Sequence, residues 1–392
     1  MREETKDNLR QVLDGAIARQ ELAGANFLVR KAGREVFYME RGFADREAGI
    51  PLRRDQIFRL FSMSKPLTGV AALKLFEDGV LDLAEPVSRY IPAYRYTAVE
   101  QNGTVVPAKR EILIKDLLDM TSGLMYDDTP GTLAGRHAIA VFRELDERLL
   151  GGHPMSTLEF AERMAEGPLA FHPGSRWLYG ASADVLGAVI EAASGMRFGD
   201  YLQKTVLDPL GMEDTGFFVP AEKRHRLVSA YRHNAARELI PYTGNNLGIR
   251  YGMEEAPAFE SGGAGLASTI DDYARFTQML LNEGQLDGAR ILRPETVRFL
   301  RAGSLNPVQE LCLYEGFPHL AGHTYGNLFR VLVRPGGASL LGRAGEYGWD
   351  GWLGCYFSND PGEQTTILMM MQRTDAGMTP LVRKLRNVLF GE

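Results

Sequence analysis

Phe58-Arg59-Leu60-Phe61-Ser62-Met63-Ser64-Lys65-Pro66-Leu67-Thr68 is an apolar approach that runs into a helix carrying a serine and a lysine three positions apart. Residues at i and i+3 share one helical face. The Ser62 hydroxyl and the Lys65 amine therefore meet one turn apart, at the end where free backbone N–H groups and the helix dipole favour negative charge. Pro66 falls in the first turn, where a missing N–H costs little. Leu67, Val70, Ala71 and Leu75 then recur at helical spacing until Gly79 stops the run. Ser-x-x-Lys is expected roughly once or twice by chance in a chain of this length and occurs once. Taken alone, the pair also reads as an N-cap and a solvated lysine, so a chemical role needs partners elsewhere.

Working outward, 392 residues suggest roughly two or three domains of about 150 residues, and 45% apolar content is enough for packed cores. A net charge of −6 with no long basic run excludes a nucleic-acid or acidic-membrane partner. Cys312 and Cys355 stand in separate apolar surroundings without metal-ligand spacing, so they read as two buried thiols, and no metal or other cofactor is expected. The charged start Met1-Arg2-Glu3-Glu4-Thr5-Lys6-Asp7 leads into an amphipathic helix without an apolar h-region. With no long apolar stretch anywhere, this points to the cytoplasm.

Ala25–Arg30 and Glu35–Met39 read as two strands joined across Lys31-Ala32-Gly33-Arg34. From about residue 80 to 255 amphipathic helical segments dominate, at 112–120, 135–150, 156–166, 181–195 and 198–206. A helix is predicted over 270–283, strands at 326–334, 338–343, 350–358 and 365–372, and a closing helix over 379–390. Strands at both ends with helices between predict an α+β fold. It would be a mixed antiparallel sheet flanked by the terminal helices, with residues 1–80 and 256–392 forming one discontinuous domain and 81–255 a helical insertion.

A serine hydroxyl needs a base at neutral pH. The seven histidines are scattered in polar or loop settings, and no Gly-x-Ser-x-Gly elbow exists, which argues against an α/β-hydrolase. Tyr179 is the best candidate, delivered by the turn-rich Phe171-His172-Pro173-Gly174-Ser175-Arg176-Trp177-Leu178-Tyr179-Gly180. A phenol serves as base only if a nearby positive charge lowers its pKa, and Lys65 could supply that charge. Singly, Tyr179 also reads as a packed tyrosine at a loop–helix junction. In Gly345-Glu346-Tyr347-Gly348-Trp349-Asp350-Gly351-Trp352-Leu353-Gly354, glycines entering a strand permit the close backbone approach that an oxyanion site of main-chain N–H groups needs. The same stretch also reads as an edge bulge.

Together these segments resemble the serine penicillin-recognising superfamily, in particular its class C β-lactamase-like branch and the family VIII carboxylesterases. The resemblance rests on Ser62–Lys65, Leu117-Leu118-Asp119-Met120-Thr121-Ser122-Gly123-Leu124, Pro173-Gly174 through Tyr179, Pro209-Leu210-Gly211-Met212, Ser261-Gly262-Gly263-Ala264-Gly265-Leu266 and Trp349-Asp350-Gly351. It implies that Ser62 attacks a carbonyl and is acylated, that Lys65 and Tyr179 share the proton as general base and acid, and that the backbone N–H groups of Ser62 and Trp352 hold the oxyanion.

Two departures bear on substrate. Where the lactamase branch has Tyr-x-Asn, this chain has Tyr179-Gly180-Ala181. Where the third motif usually opens on lysine, it has Trp349 followed by Asp350, so a carboxylate-pairing cation gives way to an aromatic wall and a negative charge. The resemblance therefore implies a carboxylesterase acting on short to medium acyl esters of small molecules. The expected pocket is apolar, formed near Trp349, Asp350 and Gly351 with Tyr126 and Met125. Alternatives on the same site are a β-lactamase or D-aminopeptidase/DD-peptidase and an acyltransferase. A different class altogether is a catalytically silent binding module.

Overall fold

In the computed structural model, which describes residues 1–149 and 151–391, a two-residue strand Phe58–Arg59 pairs with Ala267–Ser268 and feeds a 3-10 turn, Phe61–Met63, that opens directly into the helix Ser64–Glu77. That helix is buried nearly all round, from Ser64 through Leu73, because it threads the middle of the molecule rather than lying on its surface. Gly79 ends it with φ +74°. Gly69 is needed on its flank: a Cβ there would stand 2.7 Å from the Asn327 carbonyl oxygen.

Among the described residues the main sheet has eight strands: β1 (Gly24–Lys31), β2 (Arg34–Asp45), β3 (Ile50–Pro51), β4 (His323–Gly326), β5 (Phe329–Leu332), β6 (Tyr347–Asp350), β7 (Tyr356–Asp360) and β8 (Thr365–Met371). Their order is β4-β5-β6-β7-β8-β1-β2-β3, and every pairing is antiparallel. The two ends of the chain meet at its centre, where Ala25 pairs with Met371 and Lys31 with Thr365. Every residue of β8 is buried, so both faces are covered at the centre of the sheet. The terminal helices Glu3–Ala18 and Pro380–Phe390 pack on each other, and Ile270–Leu281 lies along β7 and β8. The α+β class with flanking terminal helices is the one expected. Among the described residues, no helix is long and apolar enough to cross a membrane.

Two strands come out differently. Residues 350–358 are not one strand: Asp350 ends β6 and Tyr356 starts β7. Between them a tight turn is closed by Gly351 N–H to Cys355 O (2.7 Å) and Gly354 N–H to Gly351 O (2.8 Å), with Gly354 at φ +95°. Residues 338–343 form no strand, because their backbone is engaged by the closing helix. Asn387 Oδ1 accepts from Leu341 N (2.8 Å) and Arg386 Nη2 donates to Leu341 O (3.0 Å). The predicted helix over 135–150 is observed as Leu133–Leu149, and residue 150 lies outside the described residues. Neither cysteine is bonded to the other; Cys355 is buried, but Cys312 is partly exposed.

The closing helix is pinned by a fully buried ion pair. Arg386 grips Glu346 through two bonds of 2.6 Å and also donates to Tyr356 Oη and Ser358 Oγ. With the partners 0% and 2% exposed, removing one strands a charge in the interior. Arg386→Met is expected to cost about 3–5 kcal/mol in urea unfolding, and the double variant with Glu346→Leu to recover most of it.

Candidate active site

Between Gln56 and Leu73 every residue is buried except Ser62. The fold thus presents one hydroxyl from an otherwise enclosed segment. The backbone just before it is held in the left-handed region, with Phe61 at φ +45°, a conformation that costs a non-glycine residue roughly 1–3 kcal/mol. The Phe61 ring packs edge-on against Trp352, centroids 5.0 Å apart, and Met63 N–H closes the turn on Leu60 O (3.2 Å).

Lys65 is completely buried, and its amine touches three oxygens: Ser62 Oγ at 3.2 Å, Tyr126 Oη at 2.9 Å and Gly263 O at 2.8 Å. Burial pushes Lys65 down to about 7, against the opposing pull of the Asp184 and Asp350 charges. An amine in that range can hold or release a proton near neutrality.

Tyr179 arrives on a loop docked along residues 120–126. Leu178 N–H donates to Met120 O (2.9 Å), Gly174 N–H to Thr121 O (2.9 Å) and Ala170 N–H to Gly123 O (2.9 Å). Gly180 lets the two segments touch, since a Cβ there would meet Leu124 O at 2.0 Å. The phenol oxygen accepts from Trp349 Nε1 at 3.1 Å, and Ser62 lies near enough to pull its pKa down. Ser62, Lys65 and Tyr179 are therefore brought together, but the expected electrostatics are not. Burial dominates and holds the Tyr179 phenol above its ordinary value, with Ser62 and Trp349 pulling it down less. The Lys65 amine sits over the ring face, 4.6 Å from its centroid, rather than beside the hydroxyl. The group moved into the neutral range is the amine.

The third motif also differs in part. Trp349 is 2% exposed and boxed by Tyr325 and Tyr179, centroids 5.0 and 5.6 Å away, so it positions the phenol instead of walling an open pocket. The partly exposed ring beside the serine turn is that of Trp352, which stacks edge-on with Tyr242 and donates Nε1–H to Asp375 (2.8 Å). Asp350 faces Arg330 at 3.7 Å, and burial raises its pKa. A Cβ on Gly351 would stand 2.1 Å from Leu60 O and 3.6 Å from Ser62 N, which puts this backbone directly against the Ser62 turn.

Tyr126 is a buried member of the cluster, its ring edge-on to Tyr179 at 5.9 Å, while its neighbour Met125 is buried against the Thr132 hydroxyl. Sequence reasoning missed Asp184, Ser261 and the Gly263 carbonyl. Asp184 lies in the first turn of the helix Ser182–Ser194, where an acidic residue reads as an ordinary solvated helix start. The Ser261–Leu266 run reads in the sequence only as a landmark. Its glycines let it wedge between two helices: a Cβ on Gly262 would meet Ala183 O at 2.3 Å, and one on Gly263 would meet Asp184 Oδ2 and Tyr126 Oη, each at 2.7 Å.

Residues 9–389 match the family model described as Beta-lactamase. The chain is 31% identical over 391 residues to Esterase EstB of Burkholderia gladioli, spanning 97% of this chain and 93% of that protein. It is 29% identical over 297 residues to monacolin J acid methylbutanoyltransferase of Aspergillus terreus, spanning 72% and 66% respectively. Among solved structures, EstCE1, a hydrolase with promiscuous acyltransferase activity, matches with a TM-score of 0.84 and 26% identity over 99% of both chains.

Proposed function

The chain belongs to the beta-lactamase family, and within it we propose a serine carboxylesterase that works through an acyl-enzyme on Ser62, similar to the family VIII esterases. The observation that carries this reading is the partly exposed Ser62 hydroxyl, 3.2 Å from a buried amine whose pKa has been brought to about 7. Lys65 takes the Ser62 proton as Oγ attacks the ester carbonyl. Tyr179, held neutral by burial, passes a proton to the departing alkoxide, and Lys65 restores it. The backbone N–H groups of Ser62 and Trp352 receive the oxyanion. Water then releases the acid. The similarity to Esterase EstB supports ester chemistry, and the chain has Ala181 where an amide-engaging asparagine would stand.

Acyl transfer to an alcohol is the second reading, favoured by the similarity to EstCE1 and to the fungal transferase. A fluorophosphonate probe followed by peptide mass mapping is expected to label Ser62; a label elsewhere removes the mechanism. p-Nitrophenyl butyrate should be hydrolysed readily and a chromogenic cephalosporin poorly, and an added acceptor alcohol should reveal any transfer product. Because the amine accepts a proton only when neutral, kcat/KM should climb as pH rises through about 7. Tyr179→Phe is expected to lower turnover about a hundredfold or more, the range of a positioned acid–base group.

A further inference from the structure

Asp184 touches neither Ser62 nor the space in front of it, yet the hydrogen bonds around Lys65 converge on it. It is buried, 2% exposed, and three donors point at its two oxygens. Ser261 Oγ–H donates to Oδ1, Gly263 N–H to Oδ1 at 3.0 Å, and Tyr126 Oη–H to Oδ2 across 3.5 Å. Burial raises the Asp184 pKa, and the Lys65 charge and these three donors pull the other way, toward the carboxylate. Two of these residues are the ones that receive protons from Lys65: Gly263 through its carbonyl at 2.8 Å and Tyr126 through its hydroxyl oxygen at 2.9 Å.

The direction of these bonds matters. A hydroxyl has one proton. With the Tyr126 proton committed to Asp184, its oxygen is free to accept from Lys65. A neutral lysine amine has two N–H bonds and one lone pair. If the N–H bonds go to Gly263 O and Tyr126 Oη, the lone pair is left for the third neighbour, Ser62 Oγ at 3.2 Å. We propose that Asp184 is a positioning residue for acylation: by orienting Tyr126 and Gly263 it turns the Lys65 lone pair toward Ser62. In the step itself the Ser62 O–H bond breaks, its proton forms the third N–H bond on Lys65, Oγ bonds to the ester carbon, and the carbonyl π pair moves to oxygen. The buried ammonium so created is balanced by the Asp184 carboxylate behind it.

This inference rests on the reading of Ser62 as nucleophile, and its test separates the two. The readout is the rate of fluorophosphonate labelling at Ser62, which needs no natural substrate. If wild-type Ser62 is not labelled, the nucleophile reading itself fails. Asp184→Asn keeps the shape, but its Nδ2 must donate toward Tyr126, so the Tyr126 proton swings toward Lys65 and competes for the lone pair. In a variant whose thermal unfolding shows it is folded, labelling is expected to slow roughly ten- to a hundredfold, part of what a positioned base contributes. Adding Tyr126→Phe removes the misdirected proton, so the double variant should label faster than Asp184→Asn alone. A folded Asp184→Asn chain that labels at the wild-type rate, or a double variant slowed by the product of the two single effects, overturns the inference. Should Asp184→Asn fail to fold, Tyr126→Phe decides: it should slow labelling several-fold, and an unchanged rate overturns the proposal.

Discussion

Ser62→Ala is expected to abolish ester turnover, with a loss on the order of ten-thousandfold or greater, while leaving the fold intact. The size follows from removing the atom that carries the acyl group. Nothing else on the buried stretch can substitute, because Ser62 is the one residue between Gln56 and Leu73 that is not buried, and Ser64 is committed to the interior, accepting from Leu266 N at 3.0 Å. What remains after losing a nucleophile is the residual catalysis of binding and oxyanion stabilisation, roughly 10³–10⁴ over water in a serine hydrolase. Stability should move by no more than about 0.5 kcal/mol, since Ser62 is only partly buried and Lys65 keeps its bonds to Tyr126 and Gly263. Combining Ser62→Ala with Lys65→Met should cost no more than Ser62→Ala alone, because residues acting as one unit are not additive. p-Nitrophenyl butyrate kinetics and urea unfolding on the same preparations check both halves. Retention of even a tenth of wild-type turnover would exclude the acyl-enzyme on Ser62.

How much of this was legible in the sequence divides along the range of the interactions. The Ser62–Lys65 pair was readable because its spacing is local. The β1–β2 hairpin was readable because a turn at Ala32-Gly33 sits between two apolar runs. The β6–β7 turn was not, because Trp352, Leu353 and Cys355 keep the run apolar and the only warning lay in Gly351 and Gly354. Asp184 could not be found at all by pattern, and Tyr126 was legible only as a pocket residue, not as a partner of Lys65. Tyr126 meets Lys65 across 61 residues of chain, and Asp184 meets Gly263 across 79, so neither contact leaves a periodic trace. The electrostatics went astray for a related reason. A sequence shows which charges exist but not how deeply they are buried, and here desolvation outweighs the pull of Asp184 and Asp350 on Lys65 and the lowering contributions of Ser62 and Trp349 on Tyr179.

Gly351→Ala should lower kcat about a hundredfold to a thousandfold with little change in KM, because it disturbs donors that matter only once the oxyanion forms. The added methyl would stand 2.1 Å from Leu60 O and 3.3 Å from Leu60 C. Neither backbone can retreat cheaply. Leu60 N–H is bonded to Leu266 O (2.8 Å) and its carbonyl receives Met63 N–H (3.2 Å), while Gly351 N–H is bonded to Cys355 O (2.7 Å). Relief must come by parting the serine turn from the β6–β7 turn, and that separation carries the Ser62 and Trp352 amides apart. An oxyanion donor has to stand 2.7–3.1 Å from the developing charge, so even a fraction of an ångström forfeits most of its effect. The overpacking itself should cost about 1–3 kcal/mol of stability, well short of unfolding a domain of this size. Gly131→Ala is the matched control: no atom lies within 4 Å of its added methyl, so both kcat and unfolding should match wild type. A folded Gly351→Ala enzyme with kcat within threefold of wild type would mean that the oxyanion is received elsewhere than between these two backbone segments.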